Sequence, residues 1–361
     1  MLKTARHRLF GCNCCAEPFA ATGVNRRELL AGGAALTLAG VGLGPRAFAQ
    51  AKPHRIDVHH HVAPPVWLSA MDVIGRTNPP LANWSIQKSL EDMDKGGIAT
   101  SLLSPTSPQV VPLGKPVAVK IARDSNEYSK KMMADHPGRF GIFATLPLPH
   151  VDESLKEISY AFDTLNVDGI GMMTNYGDKW LGYEEFRPVF DELNRRKATV
   201  YTHPTTASCC VNLVRDIPEA AIEWGTDTTR TIASLIFSGA SARYKDVNFI
   251  FSHGGGVLTA VAERFEIQMV STPPYKDTFT RDIVDHELQR FYYDTAQVSN
   301  AVTIGALAKL VPVSQIVFGT DYPYRPGIEH VEGLQRAFTP AALRHIERDN
   351  ALRILPRQRK A

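Results

Sequence analysis

From position 55 onward the chain alternates two kinds of apolar pattern. Short runs rich in β-branched and aromatic residues read as strands: Ile56–His61, Ile98–Ser104, Phe140–Leu146, Gly169–Thr174, Thr199–His203, Phe249–His253, Phe291–Thr295 and Ile316–Asp321. Between them lie amphipathic stretches of helix length, Ser85–Lys95, Val117–Asp135, Ser154–Leu165, Tyr183–Arg196, Glu219–Phe237, Leu258–Met269 and Asn300–Leu310, and a helical tail covers Pro340–Leu355. Phe186, Val189, Phe190 and Leu193, spaced i, i+3, i+4, i+7, show the stripe such a helix turns inward. Strands separated by helices pair in parallel through right-handed crossovers. Eight such units predict an α/β fold, a (β/α)8 TIM barrel in a single domain. An open doubly wound sheet would need a Gly-rich phosphate turn after the first strand, and His59–Pro65 offers none. The main insertion, Ala63–Asn83, contains Trp67 and runs up to Trp84, and is expected to cover the barrel mouth.

The first fifty residues are patterned differently. Lys3, Arg6, Arg8, Arg26 and Arg27 make a basic region, Leu29 to Gly44 is uncharged and rich in Gly, Ala and Leu, and Ala47-Phe48-Ala49 has the form of a cleavage site. Asn25-Arg26-Arg27-Glu28-Leu29-Leu30 resembles a twin-arginine export signal. The expected organisation is a signal peptide over 1–49 and a barrel domain over 50–361, with the mature protein periplasmic or secreted. A membrane anchor is the alternative, although the uncharged stretch is shorter than the ~20 residues a span needs.

That division changes the charge. The 361 residues carry 40 Lys/Arg and 37 Asp/Glu. Taking away the six basic and two acidic residues of positions 1–49 leaves 34 against 35, a net charge of −1. The apparent basicity therefore belongs to the leader, and no nucleic-acid-binding patch is expected. Of five cysteines, only the neighbours Cys209 and Cys210 lie in the expected mature chain. They cannot form a disulfide framework, and two small buried thiols or a vicinal disulfide are the alternatives.

Candidate chemistry gathers where the apolar runs end. Asp57, His59 and His61 share one face of the first strand, because side chains alternate along an extended chain. Thr202-His203-Pro204, Ser252-His253-Gly254 and Thr320-Asp321-Tyr322 close three later runs. On a barrel all these ends face one mouth. His59, His61, His203 and Asp321 would then supply three imidazoles and a carboxylate to one divalent ion, Zn²⁺ first, with Mn²⁺ or Fe²⁺ also suited. Before three glycines, His253 is the expected general acid/base, or else a fifth ligand.

These motifs, with Tyr293-Asp294-Thr295, Phe318-Gly319-Thr320-Asp321-Tyr322-Pro323 and the closing Asn350-Ala351-Leu352-Arg353-Ile354-Leu355, resemble the amidohydrolase superfamily. Within it they are similar to the non-oxidative decarboxylases of aminocarboxymuconate semialdehyde and 6-methylsalicylate. The resemblance implies the same four ligands, His253 as catalytic acid/base beside a catalytic Asp321, and a homodimer. It also implies that Arg264, eleven positions after His253, reaches a neighbouring subunit's site to hold a substrate carboxylate. A surface arginine pairing Glu263 or Glu266 is the alternative. Two-metal relatives carry a carboxylated lysine at the end of the fourth strand; here that end reads Met172-Met173-Thr174-Asn175, so one metal is expected.

The expected function is a metal-dependent carboxy-lyase of a hydroxylated aromatic or unsaturated carboxylic acid, a small organic acid held against Trp84, Trp67 and Met172-Met173. The alternatives are a hydrolase of a lactone, amide or carbon–carbon bond using metal-bound hydroxide, and a periplasmic metal- or ligand-binding protein without turnover.

Overall fold

The computed structural model describes residues 53–76 and 79–359, so the expected signal peptide lies outside the described residues. Eight parallel strands form one sheet in sequence order: β1 (Arg55–His61), β2 (Ile98–Ser104), β3 (Phe140–Thr145), β4 (Gly169–Met173), β5 (Thr199–His203), β6 (Asn248–Phe251), β7 (Tyr292–Asp294) and β8 (Ile316–Val317). The ladder between β8 and β1 is short, yet the ring closes. Val58 N–H donates to Phe318 O at 2.9 Å, Asp321 N–H to His59 O at 2.8 Å, and His61 N–H to Tyr322 O at 2.8 Å. These bonds run past the end of β8, which as a strand is two residues long rather than the six expected. Farther along the same segment Asp321 adopts a left-handed conformation, φ 62°.

The expected barrel is therefore the observed one. Its helices are α1 (Pro65–Val73), α2 (Ile86–Lys95), α3 (Lys115–Asp135), α4 (Val151–Tyr160), α5 (Arg187–Arg195), α6 (Glu219–Phe237), α7 (Leu258–Ser271), α8 (Arg281–Arg290), α9 (Ala301–Leu310), α10 (Gly327–Ala337), α11 (Pro340–Arg344) and α12 (Asn350–Ile354). Several start on side-chain caps that the sequence displays: Ser85 accepts from Lys88 N–H, and Asn300 from Val302 and Thr303 N–H. Three of these helices were not expected, α1, α8 and α10. In α8 only Val284 and Leu288 form the buried apolar contact, too narrow a stripe in so polar a segment to register as periodic. No helix among the described residues is long and apolar enough to cross a membrane.

The barrel interior is filled by Ile56, Val58, Leu102, Phe143, Tyr201, Ile250 and Val317, and Ala351, Ile354 and Leu355 join the same cluster. The tail thus crosses the N-terminal ends of the strands: Thr199 Oγ1 donates to Ile354 O at 2.6 Å, Asn350 Nδ2 to Ile316 O at 2.7 Å, and Arg55 Nε to Glu347 Oε1 at 2.8 Å. One end of the barrel is closed, and the other is left for chemistry.

The insertion after β1, expected to cover the mouth, brings Arg76 to the lining of the cavity there. It folds as α1, started by Pro64-Pro65, and buries Trp67, Met71 and Leu81 against Val110, Ala118, Ile121 and Ala122. The i, i+4 pair Trp67 and Met71 supplies its stripe.

Close backbone approaches fix the mouth loops. A Cβ on Gly256, itself at φ +70°, would lie 1.9 Å from Gly225 O of α6, whereas one on Gly305, inside α9, would meet nothing within 4 Å. Gly256→Ala should therefore lower stability by at least about 2 kcal/mol, through a clash and a left-handed backbone together. Gly305→Ala should raise it by about 0.5–1 kcal/mol. Melting midpoints by circular dichroism will move in opposite directions if these contacts are as described.

Candidate metal centre and the cavity above it

Five side chains from four strand ends converge inside the mouth. His59 and His61 come from β1, His203 ends β5, His253 follows β6 and Asp321 follows β8. His59 Nε2 lies 3.2 Å from His61 Nε2. Asp321 Oδ1 is 3.1 Å from the first and 2.9 Å from the second, and Asp321 Oδ2 is 3.4 Å from His253 Nε2. Ligand atoms of His59, His203, His253 and Asp321 all lie within 4.8 Å of one another. All five residues are buried.

The outer ring nitrogens decide what the inner ones can do. His59 Nδ1 donates to Asp294 Oδ2 at 2.7 Å, His61 Nδ1 to Ser104 O at 3.2 Å, and His203 Nδ1 to Pro204 O at 2.9 Å. Those oxygens only accept, so each neutral ring carries its proton on Nδ1 and turns an Nε2 lone pair inward. Three lone pairs and a carboxylate facing one another repel unless a cation lies among them. His203 Nε2 is buried with no hydrogen-bond partner in the protein.

The electrostatics agree. Burial opposes charge on His59, but Asp294 and Asp321 override it and push its pKa up to about 10. Burial, joined by the neighbouring imidazoles, holds His203 well below the usual histidine range. Burial alone would raise Asp321, yet the surrounding imidazoles hold its carboxyl well below the ordinary range. The pocket thus favours positive charge at His59, holds His61 and His203 toward the neutral form beside an ionised carboxylate, and that donor set fits a divalent cation that takes the place of the His59 proton.

The supports come from elsewhere in the chain. Asp294, after Tyr293 on β7, accepts from His59 Nδ1 through one oxygen and from His253 N–H, at 2.8 Å, through the other. Sequence reasoning gave it no role, although it stands at a strand end like the others. The carboxylate expected behind the imidazoles was Asp57. It turns instead to β8's end, taking Thr320 N–H at 3.1 Å and Thr320 Oγ1 at 2.7 Å, and faces His60 Nδ1 at 3.1 Å. The β1–β2 register is irregular between Asp57 and His60, which breaks the simple alternation. Gly319 permits the approach, since a Cβ there would lie 2.9 Å from that of His59. Gln297 Nε2 donates to Asp321 Oδ2 at 2.8 Å. His253, Gln297 and Asp321 all have positive φ, strain of the kind folds retain at functional sites.

Above the cluster is a cavity of about 580 Å³. Its wall includes Ser107, Pro149, Asn175, Thr205, Trp224 and Tyr324, from the loops after β2, β3, β4, β5 and β8 and from α6. Trp224 meets His203 edge to face, with ring centroids 5.7 Å apart, and Tyr324 meets His61 at 5.9 Å. Among the described residues, Arg76 is the one cationic side chain in the lining.

Residues 56–357 match the model of the amidohydrolase family. The chain is 32% identical over 324 residues to the 6-methylsalicylic acid decarboxylase of Aspergillus aculeatus, which spans 85% of this chain and 97% of that protein. The chain belongs to the amidohydrolase family. It is also 32% identical over 283 residues to the 6-methylsalicylic acid decarboxylase of Penicillium expansum, covering 75% of this chain and 86% of that one. The dihydroxybenzoic acid decarboxylase of a Polaromonas species, solved with manganese and 2-nitroresorcinol, superposes with a TM-score of 0.74 at 21% identity, over 84% of this chain and 97% of that one, and so shares the fold.

Two expected substrate residues of this amidohydrolase lie away from the cluster. Trp84 packs on the flanking apolar cluster of Trp67 and Leu81, and its Nε1 is buried without a partner. It does not line the cavity, because the insertion folds back onto α3. Arg264 is exposed on α7, at an apolar groove with Trp180, Phe237, Val261 and Phe265. It pairs with neither Glu263 nor Glu266; Glu266 instead faces Arg281 at 3.6 Å. Cys210 is buried and Cys209 exposed, both free, with Sγ atoms 2.7 Å apart. The sequence reading missed Arg76 and Trp224, since neither occupies a strand end.

Asp294→Asn keeps the shape beside His59 Nδ1 and removes the charge. Affinity for a divalent ion, measured by competition with a chromophoric chelator, should fall about 10- to 100-fold while the melting midpoint changes little. Undiminished affinity would mean that Asp294 serves the backbone of His253 alone.

Proposed function

We propose that this amidohydrolase is a metal-dependent carboxy-lyase that removes CO₂ from a hydroxylated aromatic acid. The observation that carries the reading is the convergence of inward-facing imidazole nitrogens on Asp321, beneath a cavity and beside a histidine whose Nε2 has no protein partner. The substrate class follows the fungal relatives that span most of the chain. His59, His61, His203 and Asp321 would hold the ion; Zn²⁺ suits the donors, as does Mn²⁺, the ion in the Polaromonas enzyme. When bound, the ion supplies Lewis-acid polarisation of the substrate's carboxylate and adjacent hydroxyl.

The remaining work falls to the protein. Trp224 and Tyr324 form flat walls for a ring, and the Arg76 guanidinium offers a fork to an anionic substituent at the cavity rim. His253 is held by its own N–H on Asp294 and by Asp321 near Nε2. Protonated at Nε2, it delivers that proton to the ring carbon bearing the carboxylate. The carbon–carbon bond then breaks, its electron pair restores the aromatic ring, and CO₂ leaves. Asp321 stabilises the imidazolium before transfer.

Two further parts of the reading rest on sequence and surface. The twin-arginine-like run Asn25 to Leu30 supports export of the barrel to the periplasm or beyond. The apolar groove of Trp180, Phe237 and Phe265, with the unpaired Arg264 on its rim, supports a homodimer joined there.

The metal-loaded protein should release CO₂ from salicylate-type acids, with no ¹⁸O from labelled water entering the product; heavy oxygen in the product would make it a hydrolase instead. His59→Ala, His203→Ala and Asp321→Ala should purify with less than about a tenth of the metal. His253→Ala should retain the metal and lose about 10²- to 10⁴-fold in turnover. Loss of metal from the His253 variant would make that residue a ligand.

A further inference from the structure

The cavity wall beyond β4 contains an amide whose orientation is forced. Asn175 is 1% exposed and lines the cavity. One end of its side chain lies 2.8 Å from Thr205 O and 2.6 Å from Asp227 Oδ2. A backbone carbonyl only accepts, so that end is the NH₂ group, and its two hydrogens serve these two oxygens. Asp227 is fully buried on α6 and also takes the Thr174 hydroxyl and, at 2.8 Å, Trp180 Nε1. Its carboxylate therefore ties the loop after β4 to α6, the helix that brings Trp224 to the same wall. Asn175 cannot turn over without placing its carbonyl oxygen against two acceptors. Its Oδ1 is left with no donor among the described residues.

Three neighbouring side chains of that wall have partners of their own: Ser107 Oγ donates to Thr205 Oγ1 at 2.8 Å, Trp224 Nε1 to Thr206 Oγ1 at 3.3 Å, and Tyr176 OH accepts from Met173 N–H at 3.1 Å. We infer that Asn175 is a specificity-determining residue: its Oδ1 accepts a hydrogen bond from a second hydroxyl or amino group on the substrate ring, remote from the group beside the metal, and Asp227 is the positioning residue that fixes this polarity. The inference rests on the carboxy-lyase reading for the identity of the ring acid. At that point of the wall an oxygen that can only accept admits a donor and disfavours an ether or a second acceptor, since the shielded oxygen is then left unpaired.

The test is calorimetric titration of the metal-loaded protein with 2,6-dihydroxybenzoate and with 2-hydroxy-6-methoxybenzoate, which keep the same carboxylate and one ortho hydroxyl. The wild type should prefer the free hydroxyl by about 10- to 100-fold. In Asn175→Leu, close in shape, the ratio should fall to near one, with metal content unchanged. Asp227→Asn lets the Asn175 amide turn over, and should reduce the ratio while keeping the side chain; it gives a second measurement if the leucine variant folds poorly. A ratio unaltered in a folded variant overturns the role of Asn175, as does failure of the wild type to bind either acid. CO₂ release is scored separately. An Asn175-dependent preference without CO₂ release leaves the specificity residue standing and sinks the carboxy-lyase, and CO₂ release with an indifferent ratio does the reverse.

Discussion

Mutual repulsion of inward-facing lone pairs is the constraint around which this molecule is arranged. With their Nδ1 protons committed to Asp294, Ser104 O and Pro204 O, the neutral rings of His59, His61 and His203 offer one another and Asp321 only acceptor nitrogens. No side-chain relaxation relieves that, because the rings are buried and each is held from behind. Positive charge relieves the repulsion, as a proton on His59 when no metal ion is bound and as coordination when a metal ion displaces that proton. The deep pKa displacements at His59, His203 and Asp321 are different expressions of the same field.

Holding that arrangement requires the two ends of the chain to meet. Asp57 on β1 grips Thr320 beside Asp321, backbone bonds join His59, His61 and Val58 to the segment after β8, and Gly319 lets them approach. The ligands nearest in space are thus separated by most of the sequence, and closure of the ring and assembly of the site are one event. At the opposite end, Ala351, Ile354 and Leu355 seal the interior, which keeps solvent access to one mouth. The α6 helix extends the design upward: Trp224 abuts His203, and Asp227 orders the β4 loop.

The strand–helix rhythm was legible in the sequence because each element buries one face. Period-2 runs and i, i+3, i+4 stripes are direct records of burial, and they located all eight strands and most helices. Where burial is shared among few residues, as with Val284 and Leu288 of α8, the record is faint. The insertion after β1 was legible as an insertion, but Trp67 and Met71 announce an apolar surface without saying which partner covers it, and α3 proves to be part of that partner.

What the sequence determined by itself is the inventory and its order: which strand ends bear histidine or aspartate, and that a parallel barrel would bring them to one mouth. That follows from local chemistry, since alternation and punctuation depend on neighbours along the chain. Only the tertiary structure decided which carboxylate stands behind which imidazole, Asp294 rather than Asp57, that Trp84 turns away, and that Asn175 presents an oxygen to the cavity. Each of those choices depends on packing against residues distant in sequence, as Asn175 on Thr205 and His59 on Asp294, and no pattern of neighbouring residues encodes it.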